Sequence, residues 1–204
     1  MTINSLPVNG FLLHHGHTIP LPIIPSGLND RRQVAGYIGS LPFPSFQQAF
    51  VIDRNAMLEG VPGLDGQLSS VANAINARGD VVGTYRAVGG STGGAFLERD
   101  GVLTDLGTLP GGGFAVAFAL NSHDQVVGYV FDIGPGVGEH AFLYDARLDP
   151  PMQDLNDLIP PDSGMMLVAA TAINDRGSTV GIWTVKGQFA PRRAFLLTPN
   201  PSSG

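Results

Sequence analysis

The chain contains no cysteine, which excludes disulfide bonds and any metal site built on thiolates. It is also poor in basic side chains, with 11 lysines and arginines against 17 aspartates and glutamates and a formal net charge of −6. Neutralising phosphates requires a basic stripe, and the sequence has none. We therefore expect neither nucleic acid nor an anionic membrane surface as a partner.

Helical periodicity and long apolar runs are missing as well. No stretch repeats apolar residues at the spacing of an amphipathic helix over three turns, and no apolar run is long enough for a membrane span. The first five residues lack the charged and apolar segments of a signal peptide. The sequence predicts no membrane span and leaves the localisation undetermined.

Turn-forming and apolar residues are abundant instead. The 204 residues include 28 glycines and 16 prolines, and 43% of them are hydrophobic. A chain this apolar can bury a sizeable core, and its glycines and prolines suit tight connections between short strands. The composition predicts an all-β fold.

Two markers recur along the chain in one register. An asparagine followed by a turn and then an apolar strand returns at intervals of 47, 45 and 53 residues, at Asn29, Asn76, Asn121 and Asn174. An Ala-Phe pair returns at intervals of 46, 46 and 53 residues, at positions 49–50, 95–96, 141–142 and 194–195. Fixed-period self-similarity of this kind is the signature of a repeat architecture.

Each repeat divides into four short strand candidates, which is the design of a propeller blade. The sequence predicts one domain, a small β-propeller with units at about 10–48, 49–94, 95–140 and 141–193 and a closing strand at 194–199. We expect the N-terminal stretch from His17 to Ile24 to pair with that closing strand and complete the ring. An open β-repeat array is the structural alternative.

These repeats resemble the HAF repeats of bacterial extracellular proteins over residues 10–199. The segments that carry the resemblance are 104–112 (TDLGTLPGG), 140–144 (HAFLY), 152–160 (MQDLNDLIP), 172–177 (AINDRG) and 194–199 (AFLLTP). The resemblance implies a secreted or surface-associated protein of a family mostly without assigned function. The histidine of the motif is present only at His140, where the other repeats have Gln48, Gly94 and Arg193.

The recurring asparagines are interpreted as turn residues, because a fold needs every copy of a residue whereas a single site needs one. Asp105 and Asp154, together with Glu59, are assigned to one position of the repeat, with Pro20 at that place in the remaining unit. Around a propeller axis such carboxylates could bind a divalent cation. Hydrogen bonding at turns and strand ends is the structural alternative.

Histidines and arginines supply the other candidate site residues. His15 and His17 lie on one face of a predicted strand and could share a metal ion, although the set is short of the three or four ligands that zinc prefers. Arg192 and Arg193 could bind a carboxylate or phosphate group, or could be an exposed pair on a terminal strand.

The leading hypothesis for function is a monomeric ligand-binding or interaction module that uses the loops or axial mouth of the propeller. Carbohydrate, peptide and small molecules are the ligand classes considered, and no cofactor is predicted beyond the possible axial cation. The alternative is a hydrolase-type or lyase-type enzyme with an axial pocket. That pocket would gather the polar residues His17, Asp105, His140 and Asp154.

Overall fold

The structure is a computed structural model that describes residues 10–199 apart from 15, 40–46, 54, 56, 63–67, 88–92, 133–137 and 189–190. Its regular elements are β-strands together with a short 3-10 helix, so the predicted all-β class is confirmed. No helix in this described part is long and apolar enough to cross a membrane. The chain divides into two compact halves, residues 1–105 and 106–204.

The first half contains a hairpin and two four-stranded antiparallel sheets. The strands of the hairpin are β1 (Gly10–His14) and β2 (His17–Leu21). Those of sheet 1 are β3 (Ile24–Leu28), β4 (Val34–Ile38), β5 (Gln48–Ile52) and β6 (Leu58–Gly60). Those of sheet 2 are β7 (Leu68–Ile75), β8 (Val81–Ala87), β9 (Gly93–Arg99) and β10 (Val102–Asp105).

The second half contains a four-stranded and a three-stranded antiparallel sheet. The strands of sheet 3 are β11 (Gly112–Leu120), β12 (Val126–Asp132), β13 (Glu139–Tyr144) and β14 (Met152–Asp154). The 3-10 helix Leu155–Leu158 follows β14 directly. The strands of sheet 4 are β15 (Met165–Ile173), β16 (Thr179–Val185) and β17 (Arg193–Leu197).

The strands of each sheet follow one another in chain order, as in a meander, and each Ala-Phe pair lies on the third strand. Each sheet therefore takes strands from two of the units delimited in the sequence. A unit such as 49–94 supplies the last two strands of sheet 1 and the first two of sheet 2. The four-fold repetition of the sequence thus appears as four sheets of the same strand order.

The chain ends pair differently from the expectation. β2 pairs with β1, and among the described residues β17 pairs only with β16. Phe11 lies opposite Pro20 in the hairpin, the same register in which Phe96 lies opposite Asp105. The hairpin thus has the pairing of the third and fourth strands of a sheet. The strand that contains Phe11 takes the place that the prediction gave to β17.

The recurring asparagine closes the hairpin between the first two strands of every sheet. Its side-chain oxygen accepts hydrogen bonds from the backbone N–H groups two and four residues later. For Asn76 these donors are Arg78 and Asp80, at 2.9 and 3.0 Å, and Asn29, Asn121 and Asn174 repeat the pattern. The predicted turn role is confirmed.

The same side chain also joins neighbouring sheets within each half. The Nδ2 group of Asn29 donates to the carbonyl oxygen of Asn76 at 2.9 Å, and that of Asn121 donates to the carbonyl of Asn174 at 3.0 Å. Asn29, Asn76 and Asn121 are buried, so the polar atoms must find protein partners. Each contact therefore fixes both a turn and the offset between two sheets.

Small residues allow the first, second and third strands to approach closely. A Cβ atom at Gly83 would overlap the carbonyl oxygen of Val71 and the ring of Phe96, and one at Gly128 would overlap the carbonyl of Val116 and the ring of Phe142. Gly36 and Gly181 meet equivalent carbonyl oxygens. At each of these four positions a neighbouring backbone approaches too closely for a residue with a side chain.

Alanine, valine and leucine residues of one sheet pack on the first strand of the next. Between sheets 1 and 2 the buried core contains Ala49, Ala72 and Phe96. Between sheets 3 and 4 it contains Ala141, Leu167 and Phe195. Because one sheet alone leaves both faces in water, these shared cores are what makes each half compact.

We expect Asn121→Ala to lower the free energy of unfolding by about 1–3 kcal/mol, because it leaves two backbone N–H groups and the Asn174 carbonyl without their hydrogen-bond partner. Asn121→Asp keeps the acceptor for the turn but places a buried carboxylate oxygen against the Gln125 and Asn174 oxygens, and should cost at least as much. Urea unfolding followed by circular dichroism measures both values. Equal stability of Asn121→Ala and the unmodified chain would show that water replaces these hydrogen bonds.

Candidate functional site

A histidine–carboxylate pair lies at the end of sheet 3. His140 on β13 and Asp154 on β14 approach to 2.6 Å between Nδ1 and Oδ2, and both side chains are largely buried. Since a carboxylate accepts, Nδ1 carries the hydrogen and donates. The contact is diagonal across the two strands, because Asp154 lies directly opposite Phe142 and His140 lies two residues before that phenylalanine.

The carboxylate is held by the element that follows it. Asp154 caps the 3-10 helix, where its Oδ1 accepts from the backbone N–H and the side-chain Nδ2 of Asn156, both at 2.8 Å. The Asn156 amide in turn donates to the carbonyl oxygen of Leu167 and accepts from its N–H. Asp154 is thus fixed to both sheets of the second half.

Hydrogen bonding decides the charge of Asp154. Burial raises the pKa of this carboxyl, but the hydrogen bonds from His140 and Asn156 outweigh burial and hold the pKa below its usual range. The carboxylate is therefore ionised at neutral pH. A histidine oriented by an ionised carboxylate is the arrangement found where an imidazole binds or moves protons.

The pair borders a cavity of 460 Å³. The polar side chains that line it are His140, Gln153, Asp154 and Asp157. Its apolar side chains are Leu109, Pro110, Val130, Pro150, Met152 and Leu158, and Gly112 completes the lining. These residues come from sheet 3, from the segments before β11 and β14, and from the 3-10 helix.

The corresponding position of sheet 2 carries a different pair. The Tyr85 hydroxyl donates to Asp105 Oδ2 at 2.7 Å. Burial, followed by the hydrogen bond and the charge of Asp105, raises the pKa of Tyr85 to about 12. Gly94 lies opposite Tyr85, and a Cβ there would be in ordinary van der Waals contact with that hydroxyl at 3.8 Å, so only a side chain larger than that of alanine would compete with the phenol for space.

In sheet 3 the large and the small side chain are on the opposite strands. Val130 takes the place of Tyr85, and His140 takes the place of Gly94. The carboxylate of the fourth strand is therefore reached from the third strand in sheet 3 and from the second strand in sheet 2. The small Val130 side chain borders the cavity, which accounts for open space where sheet 2 has a phenol ring.

Sheet 4 carries a cation at the same position. Arg193 lies opposite Trp183 and stacks over its ring with 5.3 Å between the guanidinium carbon and the ring centroid. Arg192 forms an ion pair with Glu139 at 2.8 Å. The two arginines predicted to bind an anionic ligand thus contact protein groups in the structure.

One of the remaining sequence assignments changes in the structure. Gly60, not Glu59, lies opposite Phe50, so Glu59 is one residue out of register with Asp105 and Asp154. A one-residue shift turns a strand side chain to the other face, so the assignment of Glu59 was wrong. Pro20 does occupy this position in the hairpin, as predicted.

The four polar residues of the predicted axial pocket divide between the halves. His140 and Asp154 meet in the second half, whereas His17 and Asp105 belong to the first. His17 is exposed and lies opposite His14, and its predicted metal-binding partner His15 lies outside the described residues. In the part of the chain that the structure describes, no three histidines or carboxylates are placed to hold a metal ion.

Sequence reasoning missed the importance of Tyr85, Val130 and Asn156. The signal was present in the alignment of the repeats, where Gly94 and His140 share one column while Tyr85 and Val130 share another. Comparing the two columns would have shown that a large residue in one column accompanies a small residue in the other. Asn156 gives no comparable signal, because its role depends on where β15 passes.

Comparison with known proteins adds no assignment. No protein-family model matches the sequence, and no curated protein matches it significantly.

The acid dependence of stability should reveal the Asp154 interactions. Because the pKa of Asp154 is lower in the folded chain, its stabilisation is complete above the pKa of the unfolded chain and is lost as the pH falls through the folded value. Asp154→Asn should therefore be less stable than the unmodified chain at pH 7, with the difference shrinking below about pH 4.

Urea unfolding between pH 7 and pH 3 measures this difference, and Asp157→Asn is the matched control because Asp157 is exposed. A stability difference for Asp154→Asn that does not change with pH would contradict the assignment.

Proposed function

We propose that this protein is a ligand-binding module and that its ligand occupies the cavity beside His140 and Asp154. The observation that carries the proposal is a cavity with an apolar wall and a few oriented polar groups, which is the usual composition of a small-molecule site. Asn156 holds Asp154 in place and Asp154 holds His140, so little ordering of this pair is required when a ligand binds.

Variation between the repeats supports the same conclusion. The turn asparagines and the close-approach glycines are the same in all four sheets, as a fold requires. The pair of residues beside the fourth strand changes, from Tyr85 and Gly94 in sheet 2 to Val130 and His140 in sheet 3. Such variation is possible only where the fold does not require a particular side chain. Residues that differ between otherwise matching repeats are where a single binding site is expected.

Catalysis is the second candidate function, and the His140–Asp154 pair is the observation that favours it. An imidazole oriented by a carboxylate can act as a general base towards water. Among the described residues that line the cavity there is no serine, threonine, cysteine or lysine, so covalent catalysis by a hydroxyl, thiol or amine nucleophile is not supported. Turnover that stops in Asp154→Asn while ligand binding persists would favour the enzyme.

We also propose that the four sheets are the blades of a β-propeller of the HAF-repeat type. Support comes from the shared strand order and from the uncovered last sheet. Leu196 on β17 is 64% exposed, whereas its counterpart Leu97 is 7% exposed. In the proposed ring β17 replaces β1 beside β2, in the register of the other sheets, so that Leu196 faces Ile19.

A double variant tests the binding site while preserving the fold. Val130→Tyr together with His140→Gly should rebuild in sheet 3 the tyrosine–aspartate pair of sheet 2, which places a phenol ring in the cavity. We expect the unfolding midpoint to change little and ligand binding to disappear. Saturation-transfer NMR with a set of monosaccharides, tripeptides and small apolar amines and alcohols detects binding.

The unmodified chain and the conservative variant Val130→Ile are the controls for that experiment. If the same compounds bind the double variant equally well, the site lies elsewhere. If no compound binds the unmodified chain, the binding proposal fails.

Engineered disulfides test ring closure, and the absence of native cysteine leaves no competing thiols. In the proposed ring, Ile19→Cys with Leu196→Cys should form an intramolecular disulfide on mild oxidation. Ile19→Cys with Leu12→Cys is the matched control, because these residues face each other in the hairpin. Non-reducing electrophoresis and peptide mapping measure the yields. A bond that forms only in the control pair would support the open array.

A further inference from the structure

The cavity beside His140 and Asp154 is selective by charge. Among the described residues that line it there are two carboxylates, Asp154 and Asp157, and no lysine or arginine. An anionic ligand would lose its hydration there and meet negative charge without a compensating cation. A ligand that brings a positive charge or several N–H donors would be stabilised by both carboxylates.

The apolar wall sets the shape of the rest of the ligand. Side chains such as Leu109, Val130 and Met152 offer no hydrogen-bond partners, whereas His140 and Asp154 form a polar pair 2.6 Å apart. A sugar distributes hydroxyl groups over its whole surface, and those against the apolar wall would be left without partners. A ligand with one polar end and an apolar body matches the lining better.

The type of cation follows from the absence of aromatic lining. Among the described residues that border the cavity there is no phenylalanine, tyrosine or tryptophan. Quaternary ammonium groups are recognised by aromatic faces, since they have no N–H to donate. Carboxylates instead favour cations that form charge-assisted hydrogen bonds, as primary and secondary ammonium groups do.

Building on the proposed function, we propose that the ligand is a small primary or secondary amine, bound as its ammonium form with its nitrogen at Asp154 and Asp157 and its carbon chain along Leu109, Val130 and Met152. The cavity volume of 460 Å³ accommodates a chain of several carbons. His140 stabilises this complex while it is neutral, because a protonated imidazole would add a second positive charge beside the ammonium.

The groups that face the ammonium position determine its pH dependence. They are the carboxylates of Asp154 and Asp157 and the imidazole of His140. Glu139, the neighbour of His140 on β13, is neutralised by its ion pair with Arg192. A proton gained by the imidazole adds positive charge beside the ammonium and opposes its binding, so affinity should be lower in acid than at neutral pH.

Isothermal titration calorimetry with four probes of one chain length tests the inference: hexylamine, hexanol, hexanoate and hexyltrimethylammonium. At pH 7.5 we expect hexylamine to bind at least about tenfold more tightly than the other three, which is the worth of one charge-assisted hydrogen bond. Asp157→Asn should weaken hexylamine binding severalfold and leave hexanol unchanged. Asp157 is exposed, so this substitution should not disturb folding.

The outcomes separate this inference from the proposed function. If hexanol or hexanoate binds as tightly as hexylamine, and Val130→Tyr/His140→Gly abolishes that binding, the site stands and the amine assignment is overturned. If hexyltrimethylammonium binds as tightly as hexylamine, hydrogen bonding of the ligand to the carboxylates is refuted. If none of the probes binds and the wider compound set also fails, both proposals fall.

Discussion

The asparagine that closes each first hairpin is the interaction on which the other features depend. One side chain satisfies two backbone N–H groups of its own turn and, at Asn29 and Asn121, also reaches the turn of the next sheet. These amides are buried, so an incorrect offset between sheets would leave polar atoms without partners. Turn geometry and sheet stacking are therefore coupled at Asn29 and Asn121, while the turn hydrogen bonds alone are common to the asparagines of all four repeats.

A second constraint acts inside each sheet and leaves one position free to vary. Glycines such as Gly83 and Gly128 admit a carbonyl oxygen and a phenylalanine ring where no Cβ fits, so the second and third strands are locked in register. Two residues from that phenylalanine the side chains meet the fourth strand, and there Gly94 and His140 differ without disturbing the lock. A rigid repeat thereby carries different chemistry in each sheet.

The chemistry of sheet 3 follows from how its polar groups are held. Asp154 remains ionised although it is largely buried, because His140 and Asn156 donate hydrogen bonds to it. The carboxylate orients the imidazole, and the short side chain of Val130 leaves space in front of both. This combination of fixed charge, oriented imidazole and apolar wall distinguishes the site from the closed tyrosine–aspartate pair of sheet 2 and supports the proposed role in binding.

The sequence by itself determined the all-β class, the four-fold repetition and the turn role of the asparagines, because these depend on local pattern and on recurrence at a fixed interval. It also identified as candidates His140, in the one repeat that keeps the histidine of the motif, and Asp154, one of the carboxylates at a shared position of the repeat. Only the tertiary structure decided that these two meet and that Glu59 lies one residue out of register. It also decided that β2 pairs with β1 rather than with β17. Both strands carry the same repeat motif, so the sequence pattern alone does not choose between them.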